Sequence, residues 1–379
     1  MTHTTRRVPP LLALAAHLGH GIARVTTDAA LRGVRTFPRR IADLDADTLT
    51  WILGRRVTSA AVLDGTAGTT TRARVALTGA GVPASVFIKM SAAAAGTRLI
   101  GELGRLAETE VRFYRDLSPQ LTGVPQAFGS AFDALTGRFV LVLEDLAAEP
   151  CEFPDTVHPL DADHAGRVVE LLARLHAAFW GRLPAVGAGG PLGWLYSGSA
   201  DPSVPLVPSL LRRSARRLAD RPGLAVEDGR FIIEHYPAVA RLIDAAPHTV
   251  LHGDAHPGNC YFRDGAAGLL DWQAVRRGHP ARDLAYTLIT SMTTAERRAS
   301  EPELVGTYRE ALVAAGGPEL DRGQLWERYR QAAAYAYVAA LATAGLGGMQ
   351  AENIALEGLR RSVAALGDLD TVARLQQAL

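Results

Sequence analysis

Two periodicities divide the chain. Residues 57–63 and 73–77 read as strands, and they flank a turn-rich stretch, 64–71. A third strand-like run, 85–90, follows the punctuation of Gly79-Ala80-Gly81-Val82-Pro83. Over residues 99–117, Leu103, Leu106, Val111, Phe113, Tyr114 and Leu117 recur at helical spacing and predict one helix. Residues 138–143 are nearly all apolar, which predicts a strand buried in the sheet. Ahead of these, Asp45-Ala46-Asp47 can cap a short helix through Trp51-Ile52-Leu53 to Gly54, expected as the first ordered element. Beyond Asp145 the pattern is helical and rich in Ala, Leu and Arg to the end.

This pattern predicts an N-terminal extension over 1–40, a sheet-bearing lobe over 41–145 and a larger helical lobe over 146–379. The extension is Arg-rich, with Asp28 its one acid, and is expected to be peripheral and partly helical. Its apolar run, 11–16, is short for a signal-peptide core and is followed at once by His17 and His20.

Length supports the division, since 379 residues predict roughly two or three folding units. A hydrophobic fraction of 48% with 21% charged residues suits a packed core and excludes disorder. The formal charge of +1 argues against a nucleic-acid binder held by phosphate contacts. Two cysteines, Cys151 and Cys260, exclude a disulfide scaffold and a Cys-rich zinc site, and fit a reducing, cytoplasmic setting. No apolar run reaches the ~18 residues that span a bilayer. The sequence leaves the oligomeric state open.

One count changes the picture. Lys89 is the single lysine among forty basic residues. Arg is a rigid fork and Lys a compact charge on a flexible stem, so tight geometry tells them apart. Lys89 falls inside the apolar run Ser85-Val86-Phe87-Ile88-Lys89-Met90, where a charge is costly unless paired.

The densest cluster of polar chemistry is His252-Gly253-Asp254-Ala255-His256-Pro257-Gly258-Asn259, bracketed by apolar residues. A hairpin through Arg263-Asp264-Gly265 would bring Asp254, Asn259 and Asp271 to one end of two strands. Two carboxylates and an amide oxygen suit Mg²⁺, a hard cation that completes its shell with phosphates and water. A metal-dependent hydrolase with His252, Asp254 and His256 as ligands is the rival from the same residues, but it leaves Lys89 unexplained. His252 and His256 are read as structural, Asp283 as a loop brace, and Cys260 as a small buried residue.

These residues carry a resemblance. His252-Gly253-Asp254 with Asn259 resembles the catalytic loop of the kinase fold, and HGDAHPGN resembles the signature of the aminoglycoside phosphotransferase and choline-kinase-like family. Over residues 57–292 the match looks closest to the ecdysteroid-kinase-like branch. The resemblance implies an α+β, two-lobed protein-kinase-like fold with a small antiparallel sheet and a mostly helical second lobe. It also implies ATP and Mg²⁺. In that scheme Asp254 serves the acceptor hydroxyl, and Asn259 and Asp271 hold the metal. Lys89 neutralises the non-transferred phosphates and Glu110, rather than its rival Glu108, aims it. Glu144 and Leu146 offer backbone groups to adenine. The loop 65–71, with Gly68, Thr69 and Thr70, covers the phosphates, although it lacks the GxGxxG spacing. Residues 281–286 resemble the helix that follows the metal Asp.

The expected activity is phosphate transfer from ATP to a hydroxyl of a small molecule. Arg212, Arg213, Arg216 and Arg217 lean towards a neutral or anionic acceptor and away from a polycationic aminoglycoside. An antibiotic kinase, of aminoglycoside or macrolide type, and a nucleotide-binding pseudokinase are the alternatives that remain. Trp180, Trp194 and Tyr196, in a Gly/Pro-broken stretch, are read as anchoring that loop to the core.

Overall fold

A computed structural model describes residues 10–34, 36–348 and 350–379. The chain forms two compact units. One takes in the chain up to Val111 together with Ala127–Asp145 and Asp201–Pro205. The other comprises Arg112–Gln126, Leu146–Ala200 and Leu206–Leu379.

The first unit carries helices α1 (Pro10–Ala30), α2 (Ala46–Leu53), α3 (Ala95–Leu103) and the start of α4 (Leu106–Asp116). Its strands are β1 (Ser59–Ala67), β2 (Thr70–Thr78), β3 (Ser85–Ser91), β4 (Ala127–Asp133) and β5 (Arg138–Glu144). They form one antiparallel sheet in the order β1-β2-β3-β5-β4. Ala73, Val75 and Leu77, Val86, Ile88 and Met90, and Val140 and Val142 line one face, and Leu49 and Ile52 of α2 cover it. Successive strand residues face opposite ways, so Lys89 lies on the other face from Ile88 and Met90. α2 begins as its sequence demands. Asp45 accepts a hydrogen bond from the Thr48 N–H, and Gly54 closes the helix in the left-handed region at φ 62°.

Three sequence expectations change. The stretch 64–71 is no open loop, because β1 and β2 pair as far as Ala67 opposite Thr71. Three consecutive threonines favour strand over coil, leaving only a tight turn at Gly68 and Thr69. The single helix expected over 99–117 is broken into α3 and α4 at Gly104-Arg105, with Arg105 at φ 53°. Order also begins well before Asp45. Of the expected extension, residues 1–9 and Arg35 lie outside the described residues, but α1 is long and tied to its unit.

The tie is Asp28. Its carboxylate takes a bidentate pair from Arg138, at 2.7 and 2.8 Å, together with Arg98 and Arg39. Burial alone would raise this carboxyl. The hydrogen bond from Arg138 and the charges of Arg98, Arg138 and Arg39 hold it below its ordinary 3.8.

The second unit holds α5 (Ala162–Phe179), α6 (Val207–Leu218), α7 (Arg230–Glu234) and α8 (Tyr236–Ile243). Short strands β6 (Thr249–Leu251), β7 (Cys260–Arg263), β8 (Ala266–Leu269) and β9 (Arg276–Gly278) follow. Helices α9 (Ala281–Ser291), α10 (Thr294–Ala314), α11 (Arg322–Leu346), α12 (Glu352–Asp368) and α13 (Thr371–Ala378) complete it. Every residue of α9 is buried, and α11 packs along it. Among the described residues no helix is long and apolar enough to cross a membrane.

Because the Asp28 carboxyl is held low in the folded state, its contribution is present above pH 3.8 and is lost as pH falls through the depressed value. The Tm gap between the native protein and Asp28→Asn should therefore be widest near neutrality and should narrow below that pH. Thermal denaturation across a pH series measures it; a gap independent of pH would contradict the assignment.

Candidate active site

In the first unit, the structure brings Lys89 and Glu110 together. The Lys89 ammonium lies 2.7 and 2.9 Å from the two Glu110 oxygens, and both side chains are almost fully buried. Removing one partner of such a pair strands a charge, at a cost of about 3–5 kcal/mol. Glu108, the rival carboxylate, faces Arg24 instead, at 3.5 Å. Glu144 ends β5 opposite Val86. The next residue, Asp145, accepts Arg74 Nε at 2.8 Å and the Ser85 hydroxyl at 2.7 Å, which pins the strand end.

The turn expected to cover phosphates is smaller than the sequence suggested. Gly68 N–H is spent on the Thr70 carbonyl at 3.0 Å, so that amide is not open to a phosphate. Thr70 sits in β2, where its hydroxyl accepts from Arg72 Nε at 3.1 Å. Gly68 and Thr69 form the exposed tip, where Thr69 carries the one side chain.

In the second unit, β7 and β8 form the expected hairpin, with Asp264 and Gly265 both at positive φ in a two-residue turn. The loop between β6 and β7 carries Asp254 and Asn259, and Asp271 follows β8 in the left-handed region at φ 60°. The Asn259 side-chain amide donates to the Asp254 carbonyl at 2.9 Å, and the Leu270 N–H donates to the Asn259 carbonyl at 2.8 Å. With its nitrogen so engaged, the remaining side-chain atom of Asn259 able to meet a cation is the acceptor Oδ1. Burial raises the Asp254 carboxyl above its ordinary value and the Asp271 charge adds to this, against the charges of His256 and His252 and a hydrogen bond from Tyr286. Two repelling carboxylates beside an amide oxygen form a donor set that fits Mg²⁺. Leu146 is buried at the start of a short 3₁₀ turn.

The histidines brace. His252 Nδ1 accepts the Asp254 N–H at 3.2 Å, and its Nε2 donates to the Leu270 carbonyl at 2.9 Å. With both ring nitrogens used and burial holding it below its usual value, His252 has no lone pair for a metal. Among the described residues, no group of three or more His, Cys, Asp or Glu side chains is placed to hold a metal ion. His256 Nδ1 accepts the Gly258 N–H. Burial pushes the Cys260 thiol up to about 12, and the residue is 1% exposed.

Asp283 is the central brace. One oxygen accepts the His252 N–H at 2.6 Å, the other the Gly253 N–H at 3.0 Å, and His176 lies 3.4 Å away. Burial would raise this carboxyl, but His176, His252 and the Gly253 amide hold it below the ordinary range. Gly253 is required here: at φ 82° a Cβ would meet the Ala274 carbonyl oxygen.

Sequence reasoning missed several supporting groups. The Tyr286 hydroxyl donates to Asp254 Oδ1 at 2.8 Å, and Tyr335 donates to the Gly253 carbonyl at 2.7 Å. Tyr286 stands three residues after Asp283, so both share one helix face, a signal that was available. Trp272 is packed between Phe113, stacked at 4.0 Å, and His252 at 4.4 Å. Arg282 lies 3.9 Å over the Tyr335 ring and pairs with Asp244 at 3.2 Å. Tyr196 is buried under Arg276, as an anchor of its loop would be.

Residues 99–332 match the APH family model, described as a phosphotransferase enzyme family. No curated protein matches the sequence. Among solved structures, the ethanolamine kinase of Plasmodium vivax is 12% identical, with 81% of each chain covered and a TM-score of 0.50. A choline kinase of Cryptosporidium parvum is 10% identical, covering 84% of this chain and 90% of that one at a TM-score of 0.50. A macrolide 2′-phosphotransferase of Brachybacterium faecium is 18% identical, covering 79% and 90% at 0.46. At these identities the two kinases at 0.50 speak for the fold alone, the two-lobed α+β kinase-like fold.

Replacing Asp283 by Ala leaves two inward-pointing amides without an acceptor and His176 without its anion. The expected loss is about 3–5 kcal/mol of stability, with faster amide exchange at His252 and Gly253. Exchange by mass spectrometry reads this directly, and protection at the native level would show that the loop is held by something else.

Proposed function

The chain belongs to the APH phosphotransferase enzyme family, and from that premise we propose that it transfers the γ-phosphate of ATP, with Mg²⁺, to a hydroxyl of a neutral or anionic small molecule. The observation that carries this reading is the Asp254–Asn259–Asp271 constellation, in which a braced loop holds one carboxylate beside a side-chain amide and within the field of a second carboxylate.

In this reading Asp254 accepts the acceptor hydroxyl's proton as the oxygen attacks the γ-phosphorus and the bond to the bridging oxygen breaks to release ADP, and Tyr286 keeps that carboxylate aimed. Asn259 Oδ1 and Asp271 would hold Mg²⁺, which neutralises phosphate charge when bound. Lys89, steadied by Glu110, cancels charge on the non-transferred phosphates. The backbone at Glu144 and Leu146 serves adenine, and Thr69 is the part of the β1–β2 turn left to meet phosphate. His252 is spent on the backbone, which disfavours the hydrolase alternative.

The preference for a neutral or anionic acceptor comes from the sequence alone. Arg212, Arg213, Arg216 and Arg217 lie on the exposed face of α6. Arg282 lies over the Tyr335 ring and pairs with Asp244, and Arg276 lies over Tyr196. Tyr335 connects this group to the loop of Asp254 through Gly253.

Mg²⁺ and ATP together should raise the Tm, by an amount equivalent to about 2.7 kcal/mol at a hundredfold excess over Kd. Asp254→Asn should lower turnover by about a thousandfold while leaving nucleotide binding intact, whereas Lys89→Ala should weaken both. Mass-spectrometric screening of alcohols for ATP-dependent phosphorylation supplies the acceptor. Full turnover by Asp254→Asn would refute the assigned roles.

A further inference from the structure

The N-terminal helix α1 makes more specific contacts than a peripheral segment needs. Arg24 places Nη1 3.0 Å from Glu102 of α3 and 3.5 Å from Glu108 of α4. Its Nε donates to the Ala134 carbonyl at 3.1 Å, and its guanidinium lies 5.4 Å from the centre of the Phe132 ring. His17 Nε2 lies 2.8 Å from the Leu103 carbonyl at the end of α3. Asp28 holds Arg98 of α3 and Arg138 of β5 from the same helix. Glu102 is itself wedged, since a Cβ at Gly137 would collide with its carboxylate.

These contacts converge on the break between α3 and α4. The break is the weak point of the segment, because Arg105 holds a left-handed conformation there and α4 starts afresh at Leu106. Glu108 and Glu110 are two residues apart on α4 and so face nearly opposite ways. Arg24 holds one side of the helix while Lys89 holds the other.

We propose that α1 is a clamp on the α3–α4 break, with Arg24 as the positioning residue that keeps Glu110 directed at Lys89. The role in nucleotide binding rests on the reading of Lys89 and Glu110 as phosphate-binding; the clamp itself rests on the contacts above. One guanidinium contacts both Glu102 and Glu108, so it ties the start of α4 to α1 and to α3. Arg24 touches no substrate and acts only through the Lys89–Glu110 pair.

The test uses the full chain and Arg24→Ala, which removes a partly exposed side chain and leaves the Asp28 cluster intact. Amide exchange across Leu106–Asp116 should speed up by about tenfold, while exchange at β7 and β8 stays unchanged. Calorimetric titration with ATP and Mg²⁺ should show about a tenfold weaker Kd. In a Glu110→Gln background Arg24→Ala should have no further effect on Kd, since coupled residues are not additive. Additive effects, or native exchange over Leu106–Asp116, would overturn the clamp. A native protein that fails to bind ATP would refute the phosphate-binding reading instead, and the exchange result would still decide the clamp.

Discussion

A carboxylate with no access to water stays ionised only where donors converge on it, and the second unit is arranged around one such group. Asp283 is fully buried and accepts the backbone N–H groups of His252 and Gly253. Beneath it, His176 is fixed at Nδ1 by the Tyr308 hydroxyl, 2.8 Å away, and at its carbonyl by Thr249. The loop of Asp254 is thus located from the interior outward. One turn further along α9, Tyr286 reaches the Asp254 carboxylate itself. A single helix therefore sets both the height of the loop and the direction of the carboxylate.

The first unit solves a related problem with opposite charge. Three guanidinium groups converge on Asp28, and the ammonium of Lys89 is buried against Glu110. Such pairs add little net stability over apolar packing, but they tolerate few alternative arrangements. Their value is geometric. Arg138 can meet Asp28 with two parallel bonds, whereas Lys89 offers a compact charge that one carboxylate can straddle.

Much of this was legible in the sequence, and the limits have physical causes. The cap at Asp45, the stop at Gly54, the apolar β5 and the Asp-Gly hairpin turn all depend on local chemistry, which a sequence displays directly. The choice of Glu110 over Glu108 comes from the family resemblance, since spacing shows only that the two face different ways, and the bracing roles of His252, His256 and Asp283 are the ordinary use of such residues in a buried loop. β4 escaped notice, since its half-exposed residues leave only a weak alternating pattern. The break at Arg105 was hidden because α3 and α4 together keep helical spacing. Asp28 could be counted but not placed, because its partners lie 70 and 110 residues away. Tyr335 likewise meets Gly253 across 82 residues, a contact that only the tertiary fold creates.

The burial of the single lysine has a consequence for the whole molecular surface. Every other basic side chain apart from histidine is a guanidinium, which keeps its proton to beyond pH 12. Between mildly alkaline conditions and that limit, the exterior of the protein loses no positive side-chain charge. Its cationic field is then constant over a range in which an amine-bearing surface would progressively discharge, and what changes there is the negative side of the balance, set by tyrosines and thiols.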